Sequence, residues 1–210
     1  MIICYNKTMS TITINRKNFL RDFANITSFV AAVVVGTLLF NAFVFRSYNV
    51  VGVSMEETLH SNERIIVNRL PITWAQIKNT DYIPTRGQII VFENPKTLNA
   101  ASADKYLVKR VIAFSGERVI VKNGQIKVYN EDFPDGFDPD VKAGIKDSPR
   151  SPVSGTIDMV VPQKTIFVVG DHRDGQNSND SRNGLGTIPL YNVVGPVSIR
   201  WWPIHKLRLF

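Results

Sequence analysis

The longest apolar stretch of the chain runs from Ile26 to Phe45 and contains no charged residue. As a helix rising about 1.5 Å per residue, it would measure about 30 Å, which is the thickness of the hydrocarbon core of a bilayer. A buried core helix and the apolar region of a cleaved signal peptide are the alternatives. The latter is usually about 7–15 residues long and ends at small residues, whereas this stretch continues through Asn41-Ala-Phe-Val-Phe-Arg46. We therefore predict an uncleaved transmembrane helix over 26–45.

After the helix, the pattern changes to short β-branched runs separated by turn residues, which is typical of strands. A strand-like valine run, Val50–Val53, comes first, and Leu70–Ile77 fits either a short helix or a loop. Asn123-Gly124 tolerates the positive φ of a type I′ turn and predicts a hairpin. The other predicted strands are Ile65–Val67, Gln88–Phe92, Tyr106–Phe114, Arg118–Lys122, Gln125–Tyr129, Thr165–Val169, Val193–Val194 and Val197–Trp201. So many short strands favour an all-β sandwich or open barrel, giving a mainly β fold.

Residues 130–158 interrupt this pattern with proline, glycine and aspartate and show no apolar periodicity. We expect a loop or small subdomain there. The predicted organisation is a cytoplasmic segment over 1–25, a transmembrane helix over 26–45 and an extracytoplasmic domain over 46–210.

Charge supports that orientation. Lys7, Arg16, Lys17 and Arg21 precede the apolar stretch, whereas only Arg46 follows within the next 15 residues. The positive-inside rule then places the N-terminus in the cytoplasm and the large domain outside. The net charge of +7 is not gathered into a basic stripe with interleaved aromatics, which argues against nucleic acid. The single cysteine excludes an intramolecular disulfide and a Cys-based metal site.

Ser54 is the candidate nucleophile, because it follows the valine run shortly after the anchor. A serine hydroxyl needs a base, and none of the three histidines lies in a G-x-S-x-G or similar triad context. Alternation along a strand leaves both Lys109 and Arg110 among apolar neighbours. Of these two side chains, only the lysine can lose its proton in a protein, so Lys109 is the candidate base. The alternative is that Lys109 extends to water from a half-exposed strand.

Two further motifs have both structural and functional interpretations. Ser54-Met-Glu-Glu57 fits a helix capping box, in which the serine would cap a helix and perform no chemistry. The segment Gly170–Arg182 is rich in turn residues, but its acidic and basic side chains could also hold it rigid through carboxylate–guanidinium pairs.

Taken together, the chain resembles the type I (leader) signal peptidases, membrane-anchored Ser/Lys proteases that remove signal peptides. The motifs that carry the resemblance, in order, are S-M-x-x-T-L at Ser54–Leu59, R-G-x-I-x-V-F at Arg86–Phe92, K-R-V-I-x-x-x-G-[DE]-x-V at Lys109–Val119 and the G-D…R…N-S-x-D-S-R block ending at Arg182. The resemblance implies that Ser54 is the nucleophile and Lys109 its general base. It also implies an acyl-enzyme intermediate, cleavage after small residues at −1 and −3, and no metal or organic cofactor.

The resemblance further implies roles for residues around the dyad. Ser178 would hydrogen-bond the lysine amine, Asp180 and Arg182 would brace the site, and Met55 would lie beside the substrate pocket. Gly52 stands where many relatives have a serine that helps the oxyanion hole, which leaves the backbone N–H of Ser54 as the main donor.

Two other departures are Glu57 in place of the usual proline and an apparent insertion at Gly175-Gln176, which leaves the partners of Arg173 and Asp174 open. The expected partners are exported preproteins and the lipid bilayer, with the protein a monomer in the cell membrane. Two alternatives remain. One is a catalytically silent anchored module that binds export or pilus substrates. The other is a self-cleaving Ser/Lys repressor, which the anchor in place of a DNA-binding motif disfavours.

Overall fold

The computed structural model describes residues 16–97, 105–145, 152–175 and 177–210. Helix α1 spans Arg16–Phe43, and its section Leu20–Phe43 is long and apolar enough to cross a membrane, with a mean hydropathy of 2.0. The helix thus begins before the predicted span and ends at Phe43, because Val44 forms a turn and Phe45 already belongs to a strand. The helix up to Phe40 is one compact unit, and Asn41–Phe210 is the other.

The second unit is mainly β, as predicted. In chain order its elements are β1 Phe45–Asn49, β2 Arg64–Asn68, α2 Leu70–Ile77, β3 Ile89–Glu93, β4 Tyr106–Phe114, β5 Arg118–Lys122, β6 Gln125–Asn130, β7 Phe133–Phe137, α3 Pro139–Lys142, β8 Ile157–Val160, β9 Thr165–Val169, β10 Ile188–Pro189, β11 Val193–Trp202 and β12 Arg208–Leu209. Short 3₁₀ turns occupy Leu190–Asn192 and Ile204–Lys206.

Two antiparallel sheets are formed by these strands. The larger has the order β1-β2-β11-β3-β4-β9-β10 with β12 attached to β11, and the smaller has the order β7-β6-β5-β8. The predicted hairpin is confirmed between β5 and β6, where Asn123 and Gly124 have φ of 52° and 77°. Alternate residues of β5 and β6 pack against β4 and β9 in a shared core, so the smaller sheet is held to the larger by apolar burial.

Two segments differ from the sequence predictions, and a third decides between the helix and the loop that the sequence left open. Leu70–Ile77 is a helix, with a proline in its first turn and Ile72 and Ala75 buried. The valine run Val50–Val53 is not a strand, because β1 ends at Asn49 and the chain then turns with Val51 and Val53 exposed. The two predicted final strands are one strand, β11.

The unusual region 130–158 contains regular structure in its described part. Strand β7 adds to the edge of the smaller sheet, and helix α3 begins where the Asp138 side chain accepts hydrogen bonds from the backbone N–H of Asp140 and Val141. Strand β8 starts at Ile157. Residues 146–151 lie outside the described part of the chain.

Candidate active site

Strand β4 carries the two adjacent cations, and the structure gives them different partners. Arg110 makes a two-pronged ion pair with Asp171, with Nε–Oδ1 at 2.7 Å and Nη2–Oδ2 at 2.5 Å, and its Nη1 donates to the Gly87 carbonyl. Lys109 is only 2% exposed and does not reach water as the alternative required. Its amine instead donates to Ser54 Oγ at 2.6 Å and to the Val108 carbonyl at 2.9 Å.

Ser54 lies on a series of tight turns between β1 and β2. The backbone N–H of Glu56 donates to the Val53 carbonyl and that of Leu59 to the Met55 carbonyl, so no helix begins at Ser54. The capping-box interpretation is therefore wrong: there is no helix to cap, and the Glu57 side chain is exposed. The Ser54 hydroxyl instead faces the lysine amine.

Burial makes the Lys109 amine easier to deprotonate, as a general base requires. Desolvation lowers the pKa of its amine to about 8, from an ordinary value of 10.5, because the charged form loses its hydration. The carboxylates of Asp180 and Asp171 oppose this shift by favouring the ammonium, and the Arg182 guanidinium reinforces it. At neutral pH a usable fraction of such an amine is unprotonated.

Asp180 and Arg182 form a fully buried pair close to Lys109. The Arg182 Nη2–Asp180 Oδ2 distance is 2.8 Å, and both side chains are inaccessible to solvent. Burial alone would raise the pKa of Asp180, but the hydrogen bonds and charge of Arg182 hold that pKa below its usual range. The same carboxylate accepts a hydrogen bond from the backbone N–H of Gly170. Asp180 therefore contacts both Arg182 and the backbone of the segment that precedes it.

Gly170 is a site residue that the sequence analysis did not single out. A Cβ at this position would overlap with the Ser54 carbonyl oxygen and with Ser178 Oγ. The main chain at Gly170 therefore passes directly against the backbone of Ser54, and the N–H of His172 donates to the Ser54 carbonyl at 3.2 Å. The only sequence signal was a glycine at the end of a predicted strand, just before the charged segment.

Thr58 and Asp171 connect the Ser54 turns to the same segment. The Thr58 hydroxyl donates to Asp171 Oδ2 at 2.5 Å, and Asp171 is in turn held by Arg110. The side chain of His172 lies at the edge of the site, 3.3 Å from the Val53 carbonyl through Nδ1 and 2.7 Å from Asp174 Oδ1 through Nε2. The structure thereby supplies the partner of Asp174 that the insertion had left open.

Arg173 has its partner in helix α3. Its guanidinium pairs with Asp140, with distances of 2.9 and 3.0 Å, and donates to the Gly170 carbonyl at 2.8 Å. Asp140 belongs to the region that was predicted to be an excursion from the core. Helix α3 therefore helps to hold the loop that contacts Ser54. Gln176, the second residue of the apparent insertion, lies outside the described residues.

Three further residues that the resemblance placed around the site are Ser178, Met55 and Gly52. Ser178 is fully buried next to Gly170, where its hydroxyl helps to lower the pKa of Asp180, and the expected bond to the lysine amine is not formed. Met55 is 1% exposed in the core with Val50 and Ile65, which line the cavity beside Ser54, and is not itself a lining residue. Gly52 has φ of +98°, which favours glycine for backbone reasons alone, and its N–H donates to Ser61 Oγ.

A cavity of about 230 Å³ opens beside Ser54 and Lys109. Its walls come from the end of β1, the turn after it, the start of β4 and single residues of β2 and β3, and they include Tyr48, Val51, Ile65, Val91, Tyr106, Val108 and Lys109, together with Ser54. Strand β3 pairs with one edge of β4 from Tyr106 to Arg110, whereas β9 pairs with the other edge only from Arg110 onward, so the first residues of β4 have no strand partner on the edge opposite β3 among the described residues. An extended peptide would meet that edge and an apolar cavity at the same place. Among the described residues, no three His, Cys, Asp or Glu side chains are grouped to hold a metal ion.

Comparison with known proteins identifies the family. The family described as signal peptidase, peptidase S26, matches residues 21–202. Signal peptidase I P of Bacillus subtilis subsp. natto is 31% identical over 90% of this chain and 95% of its own length. Signal peptidase I of Bacillus caldolyticus is 35% identical over 85% and 90%. A solved signal peptidase I from Enterococcus faecalis V583 is 22% identical with a TM-score of 0.41, over 57% of this chain and 100% of that one. The chain therefore belongs to the signal peptidase family, peptidase S26, and is a type I signal peptidase, a serine peptidase that cleaves signal peptides.

Proposed function

We propose that Ser54 is the nucleophile of this peptidase and Lys109 its general base. The observation that carries the proposal is the 2.6 Å contact between Lys109 Nζ and Ser54 Oγ, made by an amine whose pKa burial lowers to about 8. In the unprotonated state, the amine accepts the Ser54 proton as Oγ attacks the scissile carbonyl. It then returns that proton to the leaving amine, and the acyl-enzyme is hydrolysed by a water that the same lysine activates.

The oxyanion of the tetrahedral intermediate requires hydrogen-bond donors that are already in place. The backbone N–H of Ser54 is the donor we propose. Because Gly52 already donates its N–H to Ser61 Oγ, its contribution is to let the chain turn at a positive φ in front of the nucleophile.

The proposed substrate is an extended segment of an exported preprotein that pairs with the free edge of β4. Backbone pairing of this kind gives affinity, and pockets for alternate side chains give specificity. The apolar cavity of about 230 Å³ next to Ser54 supports the acceptance of small side chains at −1 and −3. A silent binding module would not need a buried lysine within hydrogen-bond distance of the serine, since that arrangement costs desolvation energy.

The cleavage rate should depend on pH through Lys109. Because only the neutral amine accepts a proton, kcat/KM for a preprotein should rise with pH and reach half its plateau near the pKa of about 8. At pH 7 about a tenth of the enzyme would then be active. The measurement is kcat/KM from pH 6 to 10 on detergent-solubilised full-length protein. A midpoint near the ordinary lysine value, or a rate that falls with pH, would refute the assignment of Lys109 as base.

We also propose that the N-terminus is cytoplasmic and residues 46–210 lie outside. Protease added to intact cells, or to spheroplasts where an outer membrane is present, should digest the large domain and spare a tag fused at Met1. The control is the same digestion after detergent lysis, in which the tag should be lost. Digestion of the tag in intact cells, with the large domain protected, would reverse the orientation inferred from Arg16, Lys17 and Arg21.

A further inference from the structure

One residue of the segment Gly170–Arg182 contacts the peptide groups on both sides of Ser54. The backbone N–H of His172 donates to the Ser54 carbonyl at 3.2 Å, and the ring atom Nδ1 of His172 lies 3.3 Å from the Val53 carbonyl oxygen. Residues 50–55 belong to no strand, so these two peptide groups have no place in a sheet that would fix their directions. His172 therefore spans Ser54 from the carbonyl before it to the carbonyl after it.

The Val53 carbonyl and the Ser54 N–H belong to the same peptide group. That group is planar and trans, so its C=O and its N–H point in opposite directions. A donor that fixes the direction of the Val53 carbonyl thereby fixes the direction of the Ser54 N–H. Within the turn, the N–H of Glu56 donates to this carbonyl at 3.0 Å. The ring of His172 makes a second contact with it from outside the turn.

The ring of His172 is held at both of its nitrogens. Nε2 lies 2.7 Å from Asp174 Oδ1 and 3.2 Å from the Asn177 amide nitrogen. Nδ1 faces the Val53 carbonyl oxygen and lies 3.9 Å from Glu56 Oε2. Both of these oxygens accept hydrogen bonds, so the contacts of Nδ1 are attractive when that nitrogen carries a proton. The geometry thus makes Nδ1–H the donor to the Val53 carbonyl.

We propose that His172 is a positioning residue whose Nδ1–H directs the N–H of Ser54 toward the oxyanion. This inference rests on the proposed function, in which that N–H is the donor to the tetrahedral intermediate. A hydrogen bond to the carbonyl of a peptide group also polarises its N–H, which strengthens the N–H as a donor. His172 acts through the backbone of Ser54 and not on the reacting atoms. Its effect belongs to the transition state, where the oxyanion forms, and not to the binding of uncleaved substrate.

Three substitutions of His172 separate the Val53 contact from the presence of a side chain. His172→Phe keeps a ring but has no donor. His172→Gln places its amide at about the distance of Nε2, so it reaches Asp174 but not Val53. His172→Asn places its amide at about the distance of Nδ1 and can restore the Val53 contact. The matched control is His205→Phe, at an exposed position of the 3₁₀ turn Ile204–Lys206. Both kcat and KM for a preprotein are measured on detergent-solubilised full-length protein that circular dichroism shows to be folded.

His172→Phe and His172→Gln should lower kcat by about tenfold or more and leave KM within about twofold. One oxyanion donor contributes about 10²–10³ in rate, and a misdirected donor loses part of that contribution. His172→Asn should recover most of the loss, and His205→Phe should cleave at the wild-type rate. A wild-type kcat in His172→Phe would overturn the proposal, and so would a His172→Asn enzyme as slow as His172→Phe. A raised KM with unchanged kcat would also overturn it, since His172 would then act in substrate binding.

Nitrogen-15 NMR of the wild-type protein tests the same proposal without any variant of His172. The chain has three histidines, so spectra of His60→Asn and His205→Asn identify the ring signals of the other two and leave those of His172. We expect a proton on Nδ1 of His172 at pH 8, and an Nδ1 without a proton would overturn the proposal. Ser54→Ala would still be inactive in that case, so failure here is distinguishable from failure of the Ser54–Lys109 assignment.

Discussion

Replacement of either member of the dyad should abolish cleavage. Ser54→Ala removes the attacking oxygen, and Lys109→Met removes the amine 2.6 Å from it while keeping a side chain of similar length. A positioned general base contributes about 10²–10⁴ in rate, so each variant should retain less than about a hundredth of wild-type kcat/KM. The double variant should be no slower than either single one, because the two groups act as a unit.

Lys109→Arg should be as inactive as Lys109→Met, because a guanidinium keeps its proton and cannot act as a base. The matched control is Lys127→Met, at an exposed position of β6, which should cleave at the wild-type rate. The assay is single-turnover cleavage of a preprotein by the detergent-solubilised enzyme, after circular dichroism has shown that each variant is folded. A folded Lys109→Met enzyme with a tenth of wild-type activity would require another base.

Asp180→Asn should strongly destabilise the catalytic domain. The buried Arg182 guanidinium would keep its charge but lose the Asp180 carboxylate that pairs with it. Removing one member of a buried ion pair typically costs about 3–5 kcal/mol of folding stability. The melting temperature should then fall by on the order of 10 °C for a protein of this size. Asp158→Asn is the control, since it breaks a similarly short pair with Arg118 whose side chains are 52% and 53% exposed. Its effect on the melting temperature should be small.

Asp180→Asn should also change the chemistry in a way that general destabilisation does not. Asp180 is the carboxylate that most favours the ammonium form of Lys109, so its loss should lower the pKa of Lys109 further. The midpoint of the pH–rate profile should move to lower pH at a temperature where the variant is folded. An upward shift of that midpoint, or a melting temperature equal to that of Asp158→Asn, would contradict this account of the pair.

The strands could be predicted because runs of β-branched residues are clearly separated by turn residues. Tyr106–Phe114, Arg118–Lys122 and Thr165–Val169 have the predicted bounds. Strand β7 and helix α3 were not predicted, because Pro134 and Gly136 break the strand pattern of β7 and four residues are too few to show helical periodicity. These two elements depend on contacts made by the folded domain, which a local pattern does not encode.

The contact between Ser54 and Lys109 could be predicted from the sequence, but the surroundings of these two residues could not. Alternation along β4 left Lys109 and Arg110 equivalent, and the chemistry of the two cations chose between them. That Arg110 pairs with Asp171, and Arg173 with Asp140, depends on loops that meet only in the folded chain. The close passage of Gly170 past Ser54 is likewise a tertiary contact. At Ser54 the sequence predicted a local structure that does not form. The residues match the capping-box pattern, but tertiary structure overrides it and no helix begins there.

The central claim is that Lys109 is neutral when Ser54 attacks, and a direct titration of its amine tests this. Carbon-13 at the ε position of the lysines can be followed by NMR from pH 6 to 11, with the Lys109 signal assigned by its absence in Lys109→Arg. We predict a midpoint near 8, coincident with that of kcat/KM, whereas exposed lysines should titrate near 10.5. A Lys109 signal that titrates near 10.5, while cleavage retains a midpoint near 8, would show that another group is the base.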